Sequence, residues 1–519
     1  MPYPQFDYDI IILGGGSAGI VAGVMAGGLG MRVLLIEKEK MGGECLNTGC
    51  VPSKALLHAA SVVHALRTAA SVGLKSCAVS REEAAGALAY ARETIARVRD
   101  ADATEQLLGK YGVTIRFGNA SFQDAHTLML EEQAIRAANF LLATGSSPAQ
   151  PDIPGLKEVG YHTNQTIFDL ETVPETLLVV GGGPVGVEMA QAFHRLGSQV
   201  ILIQRADRLL PRDDSELTMA LEAMLRAEGM DIRLQTTLTA VRWENGRRVA
   251  TLMQDGNASE VVCEEILLGV GRVPNLEGLN LAAAGVAFDP QGIPVDSRLR
   301  TSAPNIYACG DVLGKYQFSH MAEYEAKIAV RNIVFPGASR TSFRIDPWTT
   351  FTEPELAHVG LTEDEARAQG IVYDVCRQSF AQDDRALTED AGKGMVKVLT
   401  QGWSGKILGA HILGPRAGEL IQEWTLAMEQ GLSIRAIADL IHVYPTLSMA
   451  SQHAAQRWYE QKAEQPLVRT VLQAYVNVVR PRQTALVLGL IGGGLLGIGV
   501  GLARKFTRQR SGQLNHPLR

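Results

Sequence analysis

Tyr8-Asp9-Ile10-Ile11-Ile12-Leu13-Gly14-Gly15-Gly16-Ser17-Ala18-Gly19 decides the fold at the start of the chain. The apolar run has the length of a buried strand, and glycines follow it at Gly14, Gly16 and Gly19 with the spacing G-x-G-x-x-G. An alanine- and glycine-rich helix comes next, then a second apolar strand, Arg32-Val33-Leu34-Leu35-Ile36-Glu37. Gly14 permits the tight turn, Gly16 lets backbone approach a pyrophosphate, and Gly19 allows close packing of helix on strand. The helix N-terminus offers free amides and a positive dipole end to phosphates. Glu37 ends the second strand, where a carboxylate can bind ribose hydroxyls.

The same pattern returns further on. Leu177-Leu178-Val179-Val180 leads into Gly181-Gly182-Gly183-Pro184-Val185-Gly186, a helix, and Val200-Ile201-Leu202-Ile203-Gln204. From the last glycine to the strand-end residue is 18 positions in both units, Gly19 to Glu37 and Gly186 to Gln204. One glycine turn is weak evidence. Two, each in a full strand–turn–helix–strand setting with equal offsets, predict two dinucleotide sites.

Directly after the first unit comes Gly42-Gly43-Glu44-Cys45-Leu46-Asn47-Thr48-Gly49-Cys50-Val51-Pro52-Ser53-Lys54. A dithiol beside a two-electron cofactor can store the same two electrons as a formed or broken disulfide. The alternative is a structural disulfide or half of a metal site. C-x4-C lacks the usual zinc spacing and has no second Cys/His pair, so no metal site is expected. Six cysteines in 519 residues do not make a disulfide scaffold. The remaining four, Cys77, Cys263, Cys309 and Cys376, read as small buried hydrophobes. The net charge of −6 and the absence of a basic block in the main body exclude nucleic acid as a partner there. No secretory signal opens the chain, so the main body is expected in the cytoplasm.

These motifs together resemble the flavoprotein disulfide reductases with two dinucleotide-binding domains, the family of lipoamide dehydrogenase, glutathione reductase and mercuric reductase. The likeness covers about residues 7–462. Besides the turns and the cysteine segment it rests on Ala143-Thr144-Gly145, Glu188 after the second turn, Gly271-Arg272-Val273-Pro274-Asn275 and Ala308-Cys309-Gly310-Asp311. Phe351-Thr352-Glu353-Pro354-Glu355 and Ile407-Leu408-Gly409-Ala410-His411 resemble the family's dimerisation domain.

The resemblance implies an α/β protein with two Rossmann-like domains, an α+β dimerisation domain and a homodimer. Residues 1–149 would begin the FAD-binding domain, 150–278 form the NAD(P)-binding domain, 279–345 return to the first, and 346–462 form the dimerisation domain. FAD would be held by Gly14, Gly16, Gly19, Glu37, Lys54, Thr144, Gly145 and Asp311. NAD(P)H would be held by Gly181, Gly183, Gly186, Gln204, Arg205 and Gly271. Cys50 would lie against the flavin, Cys45 would exchange with substrate, and Lys54 would pair with Glu188 near the flavin's reactive nitrogen. A helix starting at the pair, and Lys54, would lower a thiol pKa.

Two departures bear on substrate and cofactor. NADH-preferring members place an acidic residue where this chain has Gln204, followed by Arg205 and Arg208; that favours NADPH or dual use. Thiol-reducing members carry His-Pro-Thr with a glutamate five residues after the histidine. Here the stretch is His442-Val443-Tyr444-Pro445-Thr446-Leu447-Ser448-Met449, so Tyr444 takes the histidine's place and Met449 the glutamate's. On a strand His442 would share a face with Tyr444 and so offer a substitute acid; otherwise it is a packing residue. Mercuric reductases also lack the dyad, but usually end in a vicinal cysteine pair, whereas this chain has no cysteine after Cys376.

A last boundary is placed in the polar stretch Tyr459–Gln465, making 463–519 a C-terminal extension. Thr484–Ala503 is 20 residues without a charge, long enough as a helix to span a bilayer core. Gly489, Gly493, Gly497 and Gly501 line one face of that helix. A membrane helix over 484–503 is therefore expected, with the enzyme on the cytoplasmic side. The basic residues Arg504, Lys505, Arg508 and Arg510 run against the positive-inside tendency, so the tail either crosses, bends back or lies in the interface. Leu467–Val479, with Arg469 as its only charge, suits a membrane surface. The acceptor is a small molecule or small protein: a disulfide or a soft metal ion, with a membrane quinone or a low-turnover redox sensor as alternatives.

Overall fold

A computed structural model describes residues 6–479 apart from 336, 338, 343 and 344. The expected membrane helix at 484–503 lies outside the described residues. The chain divides into two compact units, 1–455 and 456–519.

The first unit is built around the strand that opens the sequence. Tyr8–Leu13 pairs in parallel with Val33–Glu37 on one side and with Gln133–Leu142 on the other. Val113–Phe117 extends the sheet beyond Val33–Glu37, and Thr127–Leu130 and Ala120–Asp124 extend it as an antiparallel arm. Ile10, Ile11 and Ile12 are fully buried, as expected of a parallel strand covered on both faces. The return segment enters through Ile306–Ala308, which pairs in parallel with Phe140–Leu142. This strand ends at Ala308. Gly310–Leu313 leaves it as a 3-10 turn, and the Gly310 N–H is tied to Glu325 at 2.6 Å.

The second glycine unit repeats the architecture. Thr176–Val180, Gln199–Ile203, Asp231–Arg233 and Glu265–Leu268 form a four-stranded parallel sheet, with a three-stranded antiparallel meander over 236–263 beside it. Arg272–Pro274 pairs with Ser146–Pro148, so the two connections between the glycine units run side by side. From Trp348 the chain forms a five-stranded antiparallel sheet in the order Trp348–Thr350, Glu355–Gly360, Lys406–Gly414, Met395–Gln401, Asp374–Ser379.

A buried ion cluster joins this sheet to the second glycine unit. Lys397, 1% exposed, meets Asp214 at 2.9 Å, Glu216 at 2.9 Å and Glu363 at 2.7 Å. Asp214 also caps helix Ser215–Ala227 through its amides at Glu216 and Leu217. Of the four cysteines read as buried, Cys263, Cys309 and Cys376 are so; Cys77 is exposed, because it sits in the solvent-facing loop after the 3-10 turn Ala69–Val72.

The polar stretch from Tyr459 continues helix Met449–Glu464, and the division between the units falls earlier, after Ala455. In the second unit, helix Pro466–Ala474 is followed by a π-helical turn, Tyr475–Val479. Among the described residues one helical stretch, 43–72, is long and apolar enough to cross a membrane. It carries the cysteine pair and packs against the helices Gly86–Asp102 and Pro184–Leu196.

Lys397→Ala should leave Asp214, fully buried, without its countercharge. The expected cost is about 3–5 kcal/mol of stability, read as a fall in midpoint in a urea titration of the FAD-loaded protein.

Candidate active site

The two glycine turns are superposable in their contacts. A Cβ on Gly14 would lie 2.2 Å from the Ala143 carbonyl oxygen, and one on Gly181 2.3 Å from that of Gly269. Both glycines also hold positive φ, 108° and 110°. A Cβ on Gly19 would strike the Gly14 oxygen, and one on Gly186 the Gly181 oxygen, each at 1.8 Å. The helices that follow, Ser17–Gly28 and Pro184–Leu196, begin at Gly16 and Gly183 without a side-chain cap. Their first amides therefore stay available for phosphate oxygens, and both turns open on one cleft of about 3420 Å³.

At the first turn Glu37 accepts the Gly15 N–H at 2.6 Å and the Glu39 N–H at 2.7 Å, which fixes its carboxylate at the cleft. Thr144 donates to the Asn275 carbonyl at 2.9 Å, locking the first connection to the second. Asp311 accepts from Ser146 at 2.7 Å and lies 3.4 Å from Arg272. Arg272 binds Ser146 at 2.8 Å as well and forms a short ion pair with Glu44, the residue before Cys45. At the second turn Gln204 folds back on its own loop, accepting the Arg205 N–H at 3.0 Å and donating to the Arg208 carbonyl at 3.4 Å. Arg205, Arg208 and Gly271 line the same cleft.

The cysteine segment crosses between these features. Gly43–Asn47 is one short helix and Cys50 begins the next, Cys50–Thr68, so its sulfur sits at a helix N-terminus. Both cysteines are free thiols facing the cleft. Lys54, one helical turn on, meets Glu188 at 2.8 Å. Ser319 lies with its hydroxyl 3.6 Å from the Cys50 sulfur. The hydrogen bond from Cys45, then Ser319 and the Lys54 charge, bring the Cys50 pKa down to about 6 against its burial. The same contact with Cys50, together with burial, pushes the Cys45 thiol well up. The pair thus shares one proton, with the negative charge on Cys50.

Tyr444 and His442 are not brought to this pair. The stretch is not a strand; Thr446 donates to the Val443 carbonyl at 2.6 Å and makes a turn. The two side chains therefore do not share a face. His442 turns inward to Glu423 at 3.1 Å, while Tyr444, 65% exposed, donates to Asp384 at 2.9 Å. Ser319 and Arg272 were not among the residues expected to act at the site. Ser319 is 269 positions from Cys50, and no local pattern marks it.

The glycine turns, their uncapped helices, and the Glu37 and Asp311 carboxylates fit FAD and a nicotinamide nucleotide in a single cleft. A pyridine nucleotide-disulphide oxidoreductase family model matches residues 8–326, and the dimerisation domain of the same family matches 346–455. The chain belongs to the pyridine nucleotide-disulphide oxidoreductases: it is an FAD-dependent enzyme that uses NAD(P)H, and its dimerisation domain marks it as a homodimer. It is 37% identical to a dihydrolipoyl dehydrogenase of Thermus scotoductus, over 88% of this chain and 98% of that one. It is 36% identical to a mercuric reductase of Streptomyces lividans, over 86% and 96%. Among solved structures it resembles the Cu(II) complex of the HOCl-induced flavoprotein disulfide reductase RclA from Escherichia coli, at TM-score 0.78 and 26% identity, over 87% of this chain and all of that one.

The long-wavelength thiolate–flavin absorbance of the two-electron-reduced enzyme should be present at pH 7 and fade as pH falls through about 6, as the Cys50 thiolate takes up a proton. Ser319→Ala removes a group that lowers this pKa, so the midpoint should move to higher pH. An unchanged midpoint in that variant would show that the hydroxyl does not reach the thiolate.

Proposed function

We propose that this enzyme reduces a thiophilic acceptor, a soft metal ion in first place, with electrons taken from NADPH and passed out through Cys45. The observation that carries this reading is the setting of the pair: a Cys50 thiolate beside a Cys45 thiol, with neither Tyr444 nor His442 of the same chain at hand to protonate a leaving group. A disulfide acceptor expels a thiolate that needs a proton; a soft metal ion does not. The likeness to mercuric reductases and to a Cu(II)-binding reductase supports the same choice. Reduction of a small disulfide is the second reading, favoured by the likeness to dihydrolipoyl dehydrogenase.

In this reading Gly14, Gly16, Gly19, Glu37, Thr144, Gly145 and Asp311 hold FAD, and Gly181, Gly183, Gly186 and Gly271 hold the nicotinamide nucleotide. The bound flavin supplies the two-electron link between nicotinamide and sulfur. Lys54, oriented by Glu188, keeps positive charge beside Cys50. Two electrons leave the dithiol as Cys45 and Cys50 close into a disulfide, and the proton of Cys45 passes to solvent. One Hg(II) accepts both electrons, or two Cu(II) accept one each. Ile441 and Val443 beside Tyr444, 94% and 75% exposed, suit burial by the second copy of the homodimer.

The acceptor is tested by steady-state NADPH oxidation with Hg(II), Cu(II), lipoamide, glutathione disulfide and a soluble quinone. Turnover with the metal ions should exceed that with the disulfides, and Cys45→Ser should lower it by roughly 10³-fold. Quinone turnover that survives Cys45→Ser would replace this reading with a diaphorase. Gln204, which carries no charge, and the guanidinium of Arg205 support the preference for NADPH. Arg205→Ala should raise KM for NADPH by about tenfold while leaving that for NADH nearly unchanged.

For the C-terminal extension the reading is attachment at the cytoplasmic face of a membrane. Helix Pro466–Ala474 exposes Leu467 at 77%, Val471 at 60% and Leu472 at 48%, and the uncharged stretch 484–503 follows it. The full chain should float with anionic lipid vesicles, and a chain ending at 465 should not. Equal flotation of both would remove the extension from any such role.

A further inference from the structure

The loop Phe351-Thr352-Glu353-Pro354 has no part in the cofactor sites or the cysteine pair as described so far. It is gripped by one face of helix Pro184–Leu196. Glu188, Gln191 and Arg195 stand three and four positions apart, the spacing that aligns side chains on one face. The Phe351 N–H donates to Glu188 Oε1 at 2.9 Å. The Glu353 N–H donates to Gln191 Oε1 at 2.8 Å, and Gln191 Nε2 returns a bond to the Glu353 carbonyl at 2.8 Å. Arg195 closes the series with a short ion pair to the Glu353 carboxylate. The backbone on either side of Phe351 is thus fixed by the helix that follows the second glycine turn.

The Phe351 side chain then faces the first domain. Its ring centroid lies 4.3 Å from Lys54 Nζ. At that distance the negative face of the ring attracts an ammonium group. Lys54 is held on its other side by Glu188 Oε2 at 2.8 Å. The lysine side chain is 37% exposed, so without the ring it has open solvent to move into. The position of this charge matters because Lys54 is one helical turn from Cys50 and acts on its sulfur.

We propose that Phe351 is a positioning residue for the redox centre: its ring clamps the Lys54 ammonium against Glu188, so that the dimerisation domain sets the charge beside the Cys50 sulfur. The inference rests on the reading of Cys50 as the sulfur that faces the flavin. The groups that face Cys50 are Cys45, Ser319, Lys54 and Glu188, and of these the ring touches Lys54.

The test uses the full-length, FAD-loaded protein. Phe351→Leu removes the ring and keeps the backbone bond to Glu188; Phe351→Met does the same with an unbranched side chain, should the leucine variant not fold. In either, the midpoint pH of the thiolate–flavin band should rise. The rate of flavin reduction by NADPH should fall, by about two- to thirtyfold for loss of one cation–π contact. Phe351→Tyr keeps the ring and should restore both. On a Lys54→Met background Phe351→Leu should shift the midpoint no further. Wild-type behaviour in the leucine and methionine variants, or an equal shift without Lys54, would overturn the proposal. A wild-type enzyme that shows no thiolate–flavin band at any pH would instead overturn the reading of Cys50 beneath it.

Discussion

Glu188 has two carboxylate oxygens, and each binds a different part of the fold. Oε2 takes the Lys54 ammonium, and Oε1 takes the Phe351 N–H. The side chain is 6% exposed, and a carboxylate so buried is costly unless both oxygens are satisfied. The constraint therefore acts on three segments at once: the helix that begins at Cys50, the helix that follows the second glycine turn, and the loop that opens the dimerisation domain. Fixing Lys54 fixes the charge one turn from the reactive sulfur. Fixing the second-turn helix fixes the uncapped N-terminus that the second glycine turn presents to the same cleft. Redox chemistry between the two depends on their distance, and this carboxylate ties them together alongside the packing of the two helices that carry them.

Around it, the same physics is used twice. Each glycine turn must approach a carbonyl too closely for a Cβ, Ala143 for Gly14 and Gly269 for Gly181, and each releases a helix whose first amides carry no side-chain cap. Two anion sites result from backbone alone. The difference between them lies in the strand-end residue. Glu37 presents a carboxylate held by two amides, whereas Gln204 presents no charge and spends its hydrogen bonds on its own loop. The first end repels a further phosphate; the second has no carboxylate to do so.

What could be read from the sequence was what lies within a short span. The strand–turn–helix units, the C-x4-C segment and the strand-end residues each concentrate their chemistry into a few consecutive positions, and the structure places them on one cleft. Contacts between distant positions left no such trace. Ser319 meets Cys50 across 269 positions, and Arg272 meets Glu44 across 228. The expected shared face of His442 and Tyr444 failed for a related reason. Alternation of faces needs an extended strand, but the hydroxyl of Thr446 turns the chain back at Val443, and the two side chains go to Glu423 and Asp384. Cys77 escaped its expected burial because an exposed loop, not a core strand, surrounds it.

The asymmetry of the cysteine pair follows from the same arrangement. Cys50 has the helix N-terminus and Lys54 on its side, so the shared proton rests on Cys45. A thiolate beside a flavin is ready for electron exchange. A thiol is a weak nucleophile until it loses its proton. A cationic acceptor removes it directly, because binding a soft metal ion displaces the proton from a thiol. A neutral disulfide has no such effect and needs a base nearby. Under the proposed reading that Cys45 meets the acceptor, the distribution of charge within the pair therefore favours a cation over a disulfide, independently of the residues that replaced the proton-transfer dyad.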